Sequence, residues 1–555
     1  MTSDIEYPDE ELNKKILSNL EIPNISLIDL FRNSAKDNND KNALYFKGKL
    51  KSYKTALEEI NRLAYSFKKL GLEKGDRIAV LLPNCPQFYI TFFAAQSIGV
   101  IFTSINPLYS AAEISNILSD CKPKMIVTLR MFAKKIREVE KQIKIDNVVI
   151  TSVSEELPII KKILYKFLKA YSQTKIPNEI SYRNLIENGK NQNSNTKINP
   201  EEDIAVLQYT GGTTGIPKGA MLSHKNLVSQ VLVLNYWENH LEKQPKGQYK
   251  IAGILPYSHI FGLTSSFLWP VYEGALIFLV PDPRKLLEVL KIINKHGLHF
   301  LYCVPIFFRK LASHKKIHKF NLSSLLLAVS GGESLPGDTV KIFEDKTNCL
   351  LVEGYGLTEA SPVTHINPPN KKNRLVGSIG ITIPNTSAKI VDPKTGKTIT
   401  RVDKDGELWV SGPGVMKGYW NNNEETKITL KDGWLRTGDI AKIDKNGYFT
   451  IVDRLKDVII VSGYNVWPSE VESVLINHPF IADVGVIGHD NGSGTVVKAV
   501  LVKKQGCKEL SLNEIRSYCK KSLAPYKVPK IIEYRDDLPR SSVGKVLRRK
   551  LRENQ

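Results

Sequence analysis

The segment Tyr209-Thr210-Gly211-Gly212-Thr213-Thr214-Gly215-Ile216-Pro217-Lys218-Gly219 follows a short apolar run, Ile204-Ala205-Val206-Leu207. Glycines let main-chain N–H groups come close to a polyphosphate. Threonine hydroxyls add donors, and a lysine adds positive charge. Thr210, Gly211, Gly212, Thr213, Thr214, Gly215 and Lys218 are therefore candidate phosphate-binding residues. The G-x-x-x-x-G-K-[ST] spacing is absent, so this is not a Walker loop.

Outward from the loop, apolar β-rich runs alternate with amphipathic segments. Arg77-Ile78-Ala79-Val80-Leu81-Leu82 reads as a buried strand closed by Pro83-Asn84, Pro86 to Gly99 as a helix, and Val100 to Asn106 as a further strand. The rhythm returns near Met125-Ile126-Val127, Phe300-Leu301-Tyr302 and Leu325-Leu326-Leu327. Such alternation predicts an α/β fold with mostly parallel sheets covered by helices. From Gly377 to Ile451 turn signals dominate (Asp392-Pro393, Asp405-Gly406, Asp432-Gly433, Asn446-Gly447), which predicts a β-rich subdomain. Mixed α/β character returns after Arg454. We expect a large N-terminal domain over 1–455 and a small α+β C-terminal domain over 456–555.

The chain has 555 residues, with Lys plus Arg 78 and Asp plus Glu 57, a formal balance of +21. Hydrophobic residues make up 42% and charged residues 24%, which excludes global disorder and collagen-like repeats. A charge of +21 admits nucleic acid, anionic lipid or acidic small molecules as partners. No RNP, zinc-finger or helix-turn-helix signature accompanies it, which argues against a nucleic-acid-binding protein. The six cysteines lack C-x-x-C spacing, so neither a disulfide framework nor a structural zinc site is expected. The acidic start, with Asp4, Glu6, Asp9, Glu10 and Glu11, is unlike a secretory signal, and the expected compartment is cytoplasm. Ile251 to Pro281 is apolar and long enough to span a bilayer, but Pro256, Gly262, Pro270, Gly274 and His259 suit buried strands and helices better.

Leu157 to Lys175 carries Lys161, Lys162, Lys166, Lys169 and Lys175 without an acid, and its apolar residues repeat at helical spacing. A basic amphipathic helix can lie on an anionic membrane, here the inner face. The more economical reading is a surface helix packed on its own domain.

Further motifs accompany the glycine-rich loop: Glu353-Gly354-Tyr355-Gly356-Leu357-Thr358-Glu359, Gly433-Trp434-Leu435-Arg436-Thr437-Gly438-Asp439, Ile451-Val452-Asp453-Arg454-Leu455-Lys456-Asp457 and Pro539-Arg540-Ser541-Ser542-Val543-Gly544-Lys545. In this order they resemble the adenylate-forming superfamily of acyl-CoA synthetases, luciferases and peptide-synthetase adenylation domains. Asn106-Pro107-Leu108-Tyr109 and Val461-Ser462-Gly463-Tyr464-Asn465-Val466-Trp467-Pro468 further resemble bacterial-type long-chain fatty acid CoA ligases.

The resemblance implies that a carboxylate attacks the α-phosphate of ATP to give acyl-AMP and diphosphate, and that coenzyme A then displaces AMP. It implies Mg²⁺ at Glu359, the α-phosphate at Thr358, and adenine on Tyr355. Ribose hydroxyls would meet Asp439, and Arg454 would reach the ribose or a phosphate. Gly331, Gly332, Glu333 and Gly356 would line the nucleotide and acyl passage, and His259 its entrance. Lys545 would bridge carboxylate and α-phosphate. Lys456 would be the hinge of a mobile C-terminal domain, with Ser462, Gly463 and Tyr464 facing coenzyme A. A coumarate-type or medium-chain ligase shares most of these motifs. An acyl-AMP ligase that loads a carrier protein is a further alternative, though no rotation-restricting insert is recognisable near Lys456. Among basic residues around Lys545, Arg540, Arg548, Arg549, Lys550 and Arg552 admit the plain reading of a solvated tail.

Overall fold

The computed structural model describes residues 20–162, 174–210, 217–282, 284–461, 464–491, 494–540 and 546–553. These fall into two compact units, one of 20–387 and 411–435, the other of 388–410 and 436–553.

The first unit is built on two large sheets. In the seven-stranded sheet the order is Ile180–Ser181, Asn147–Thr151, Met125–Leu129, Arg77–Leu81, Ile101–Ser104, Ile204–Thr210 and Lys218–Ser223. Every neighbouring pair is parallel except the last, where Ile204–Thr210 turns back antiparallel on Lys218–Ser223. The nine-stranded sheet runs Ile381–Thr382, Val363–Ile366, Leu350–Gly356, Leu327–Ser330, Phe300–Cys303, Lys250–Gly253, Leu276–Leu279, Asn42–Phe46 and Lys49–Ser52. Its central pairs are parallel and its outer ones antiparallel. Strands covered on both faces read as continuous apolar runs, which is why Ala79-Val80-Leu81 and Met125-Ile126-Val127 are wholly buried.

The expected helix after Pro83-Asn84 is Pro86–Ser97, with Pro86 in its first turn and every residue buried. A helix apolar all round must be enclosed by protein. Its Phe88, Phe92 and Phe93 surround Phe267, with ring centroids 6.0, 5.1 and 5.4 Å away. Burying each such ring contributes about 1.5–3 kcal/mol.

Phe267 belongs to the apolar run 251–281. That run resolves into the strand Lys250–Gly253, a helical stretch with a π-helical segment Thr264–Leu268 at its centre, and the strand Leu276–Leu279. Among the described residues no helix is long and apolar enough to cross a membrane. The strand read near Leu325-Leu326-Leu327 is Leu327–Ser330; Leu325 N–H still turns back to Leu322 O at 3.0 Å, and pairing with Phe300 starts at Leu327.

Strands Ser387–Val391, Gly406–Ser411, Trp434–Ile443 and Phe449–Arg454, most of their residues in the second unit, form a β-rich part. An α+β portion follows. The antiparallel pair Ile481–Asp490 and Thr495–Lys503, with Ile531–Tyr534 parallel to the latter, packs on helices Pro468–Leu475 and Leu512–Cys519. The six cysteines are free.

Candidate active site

Thr210 and Lys218 close the stem of the glycine-rich loop as Cα partners across the antiparallel pair. Gly211, Gly212, Thr213, Thr214 and Gly215 lie outside the described residues, as do Lys545, Ser462 and Gly463, and 163–173 of the basic segment. The stem is braced from below: the Tyr209 hydroxyl donates to Asp120 Oδ2 at 2.6 Å. A Cβ on Gly219 would meet the Tyr209 ring at 3.0 Å.

Lys218 does not point at empty solvent. Its ammonium pairs with Glu425 and lies 5.4 Å from the Tyr419 ring centroid. The hydroxyl of the same Tyr419 donates to Glu359 Oε1 at 2.6 Å. Burial, then the neighbouring Glu359 charge, pushes the Tyr419 phenol well above its ordinary pKa, so it stays a donor. Lys218 and Glu359, read separately from sequence, are thus brought together through a residue that sequence reasoning missed.

Glu359 and Thr358 sit in a short 3₁₀ turn, Thr358–Ala360, that follows the strand Leu350–Gly356. The strand must pass close to its neighbour here. A Cβ on Gly356 would fall 1.9 Å from Pro362 O, so no side chain fits. Tyr355 pairs with His365 across the ladder, their rings 5.9 Å apart, and is half-buried. Glu353, two residues before it, is pushed up to about 8 by burial.

Gly331 and Gly332 follow the parallel strand Leu327–Ser330. Gly331 N–H donates to Cys303 O at 3.1 Å, and Gly332 has φ +86°, a conformation that suits glycine. A Cβ on Gly331 would lie 3.1 Å from the Phe261 ring. Glu333 follows, half-buried. His259 caps the helix Ile260–Leu263, its Nδ1 accepting Phe261 N–H at 3.4 Å. Binding crevices of parallel sheets lie at such carboxyl ends of strands.

In the second unit Asp439 and Arg454 are ladder partners, and Arg454 Nε meets Asp439 Oδ1 at 3.0 Å. Lys456 is exposed in the 3₁₀ turn Leu455–Asp457. Tyr464 is 59% exposed and stacks on Tyr526 at 4.7 Å.

The solvated-tail reading needs correction at Arg548 and Arg552. Arg548 contacts Asp453 at 3.3 Å, Asp457 at 3.2 Å and Glu472 at 2.7 Å, and Arg552 contacts Asp457 at 3.0 Å. Burial alone would raise Asp457, but Arg548 and Arg552 hold it below the usual carboxylate range. These acids are far from the tail in sequence, so its basic run carried no signal of them.

The donors around Glu359 fit a hard cation. A carboxylate beside a threonine hydroxyl offers oxygen alone, and Mg²⁺ is commonly held by one or two carboxylates plus nucleotide phosphates. Among the described residues no cluster of three or more His, Cys, Asp or Glu forms an all-protein metal cage.

The AMP-binding enzyme family matches residues 31–420, and its C-terminal domain matches 470–545. The chain belongs to the AMP-binding enzymes. This AMP-binding enzyme is 40% identical over 558 aligned residues to a long-chain-fatty-acid–CoA ligase of Bacillus subtilis (strain 168), covering 99% of this chain and 97% of that one. Its structure resembles an anthranilate CoA ligase in complex with anthranoyl-AMP, with TM-score 0.83 and 25% identity over 96% of this chain and 98% of that one. It also resembles ATP-bound MatB from Rhodopseudomonas palustris, with TM-score 0.82 and 27% identity over 96% and 99%. The enzyme is an acid–thiol ligase: it forms an acyl adenylate from ATP, then a thioester with coenzyme A.

Proposed function

We propose that the acid is a long-chain fatty acid. The observation that carries this reading is the near-full-length 40% identity to the Bacillus subtilis ligase. The apolar helical stretch 260–272, which follows His259 and packs Phe261 against Gly331, supports it by its apolar composition. Each methylene buried there contributes about 0.8 kcal/mol, enough for chain length to be discriminated by depth.

Adenylation brings an anionic acid to a polyanionic nucleotide, so electrostatics dominates the barrier. The main-chain donors of 211–215, with Thr210 and Lys218, hold the outer phosphates. Thr358 meets the α-phosphate, Tyr355 stacks on adenine, and Gly331, Gly332, Glu333 and Gly356 let the nucleotide pass close to the backbone. Asp439 and Arg454 hold the ribose. Mg²⁺, held by Glu359, neutralises phosphate charge when bound. Lys545 bridges the carboxylate and α-phosphate oxygens. The segment 456–555 turns about Lys456 between the two steps, after which Ser462, Gly463 and Tyr464 face coenzyme A, while His259 stands at the entrance of the acyl passage. The enzyme is cytoplasmic in this reading.

Peripheral contact with the inner face of the membrane through 157–175 belongs to the same proposal. It is supported by Ile159 and Ile160, 78% and 82% exposed beside Lys161 and Lys162. Co-sedimentation with anionic vesicles, lost on deleting 157–175, tests that contact; unchanged sedimentation removes it.

The test of substrate is a panel of acids, from acetate to stearate plus coumarate, given with ATP, Mg²⁺ and coenzyme A while AMP is measured. The highest kcat/KM falls on long-chain acids. A preference for coumarate or short acids would overturn the fatty-acid assignment.

A further inference from the structure

Tyr419 sits in a strap of chain that joins the phosphate loop to Glu359. Along the strap, Lys417 N–H donates to Met221 O at 2.9 Å, Met221 N–H donates to Gly418 O at 2.9 Å, and Trp420 N–H donates to Gly219 O at 2.8 Å. Ala220 and Tyr419 are antiparallel bridge partners. Met416 N–H donates to the main-chain oxygen of Glu359 at 2.8 Å, so the strap grips the acid's own backbone. Gly418 has φ +138°, and a Cβ there would lie 2.8 Å from Thr426 Cγ2, which ties the turn to the following segment. Tyr419 N–H donates to Thr426 Oγ1 at 2.9 Å, and the residue is 5% exposed. Its ring therefore has little freedom to move.

We propose that Tyr419 is a positioning residue for the metal–nucleotide complex: its hydroxyl fixes Glu359 Oε1 and reserves Oε2 for the divalent cation, while its ring packs against the Lys218 ammonium. The inference rests on the reading of Glu359 as the metal-holding carboxylate and deepens it.

The physical argument has two parts. Mg²⁺ demands near-ideal octahedral geometry, so a carboxylate already held by a neighbour loses less freedom on binding, and partners behind a ligand are a recognised determinant of affinity. A phenol is also neutral. A lysine or arginine in its place would orient Glu359 equally well but would cancel the charge that attracts the cation. The cation of the site is carried instead by Lys218, held 5.4 Å from the ring centroid and paired with Glu425.

Tyr419→Phe removes the hydroxyl and keeps the ring. The probe is Mn²⁺ binding to the full-length enzyme saturated with a non-hydrolysable ATP analogue, read by electron paramagnetic resonance. Expected is a Mn²⁺ dissociation constant about tenfold weaker, as partners behind metal ligands typically give. Metal-free analogue binding, KM for the fatty acid and the thermal midpoint stay as in the parent. In a Glu359→Gln background the Tyr419→Phe change adds nothing, because the group it orients has lost its charge. Full Mn²⁺ affinity in Tyr419→Phe, with affinity lost in Glu359→Gln, overturns the inference and leaves the Glu359 reading standing. Additive losses in the double variant, or a thermal midpoint that falls in step with Mn²⁺ affinity, also overturn it. Undiminished Mn²⁺ binding in Glu359→Gln overturns both.

Discussion

Glu359 and Asp457 each sit in a short 3₁₀ turn after a strand, and their surroundings treat the charge in opposite ways. Glu359 receives the neutral hydroxyl of Tyr419 on one oxygen. Asp457 receives the guanidinium groups of Arg548 and Arg552, and Arg548 also binds Asp453 and Glu472. An acid matched to arginine is electrostatically saturated and ties chain segments together. An acid matched to a hydroxyl is oriented and still carries its negative charge outward. The first arrangement serves structure; the second suits a cation that comes and goes with the nucleotide.

Arg548→Ala tests the saturated side and carries the largest expected effect. It strands Asp453, Asp457 and Glu472 without their common partner, and breaking a buried ion pair in this way costs about 3–5 kcal/mol. Denaturant unfolding at neutral pH measures it, and a loss below about 1 kcal/mol would return Arg548 to the class of exposed pairs. The arginines hold Asp457 below its ordinary pKa. Its contribution is therefore present above the ordinary carboxylate pKa and is lost as pH falls through the lowered one. The gap between parent and variant accordingly narrows in acid.

Glu359→Gln tests the open side. ATP-dependent AMP release falls about 100-fold, equivalent to about 2.7 kcal/mol of barrier. Unfolding free energy shifts by no more than about 0.5 kcal/mol, as for an ordinary surface change. A stability loss like that of Arg548→Ala would erase the contrast between the two acids.

Glu425→Gln sharpens the contrast at its weak end. The Lys218–Glu425 pair is partly exposed, with side chains 19% and 33% accessible. Such pairs contribute about 0–1 kcal/mol, so freeing Lys218 lowers KM for ATP about two- to fivefold. An increased KM would make Glu425 part of the nucleotide site rather than a competitor for its lysine.

Much of this molecule was written locally. Apolar runs such as Ile78 to Leu81, hydrophobic without alternation, state that both faces of a sheet are covered, and they found their parallel sheets in the structure. The same local logic found Pro86–Ser97, and the turn dipeptides from Asp392 to Gly447 marked the β-rich part. It also singled out Lys218 by residue type, whereas Glu359 came only from the family resemblance of its motif. It left the start of Leu327–Ser330 open, because apolar character does not state where a neighbouring strand begins to pair.

Tertiary structure alone decided who stands beside whom. Tyr419 lies 60 positions from Glu359, and Arg548 lies 95 from Asp453. Hydrogen bonds and ion pairs act over a few ångströms of space, whatever the distance along the chain, so no local pattern encodes them. That is why a run of arginines and lysines after Lys545 could pass for a solvated tail, and why a tyrosine next to a tryptophan carried no hint of the acid it orients.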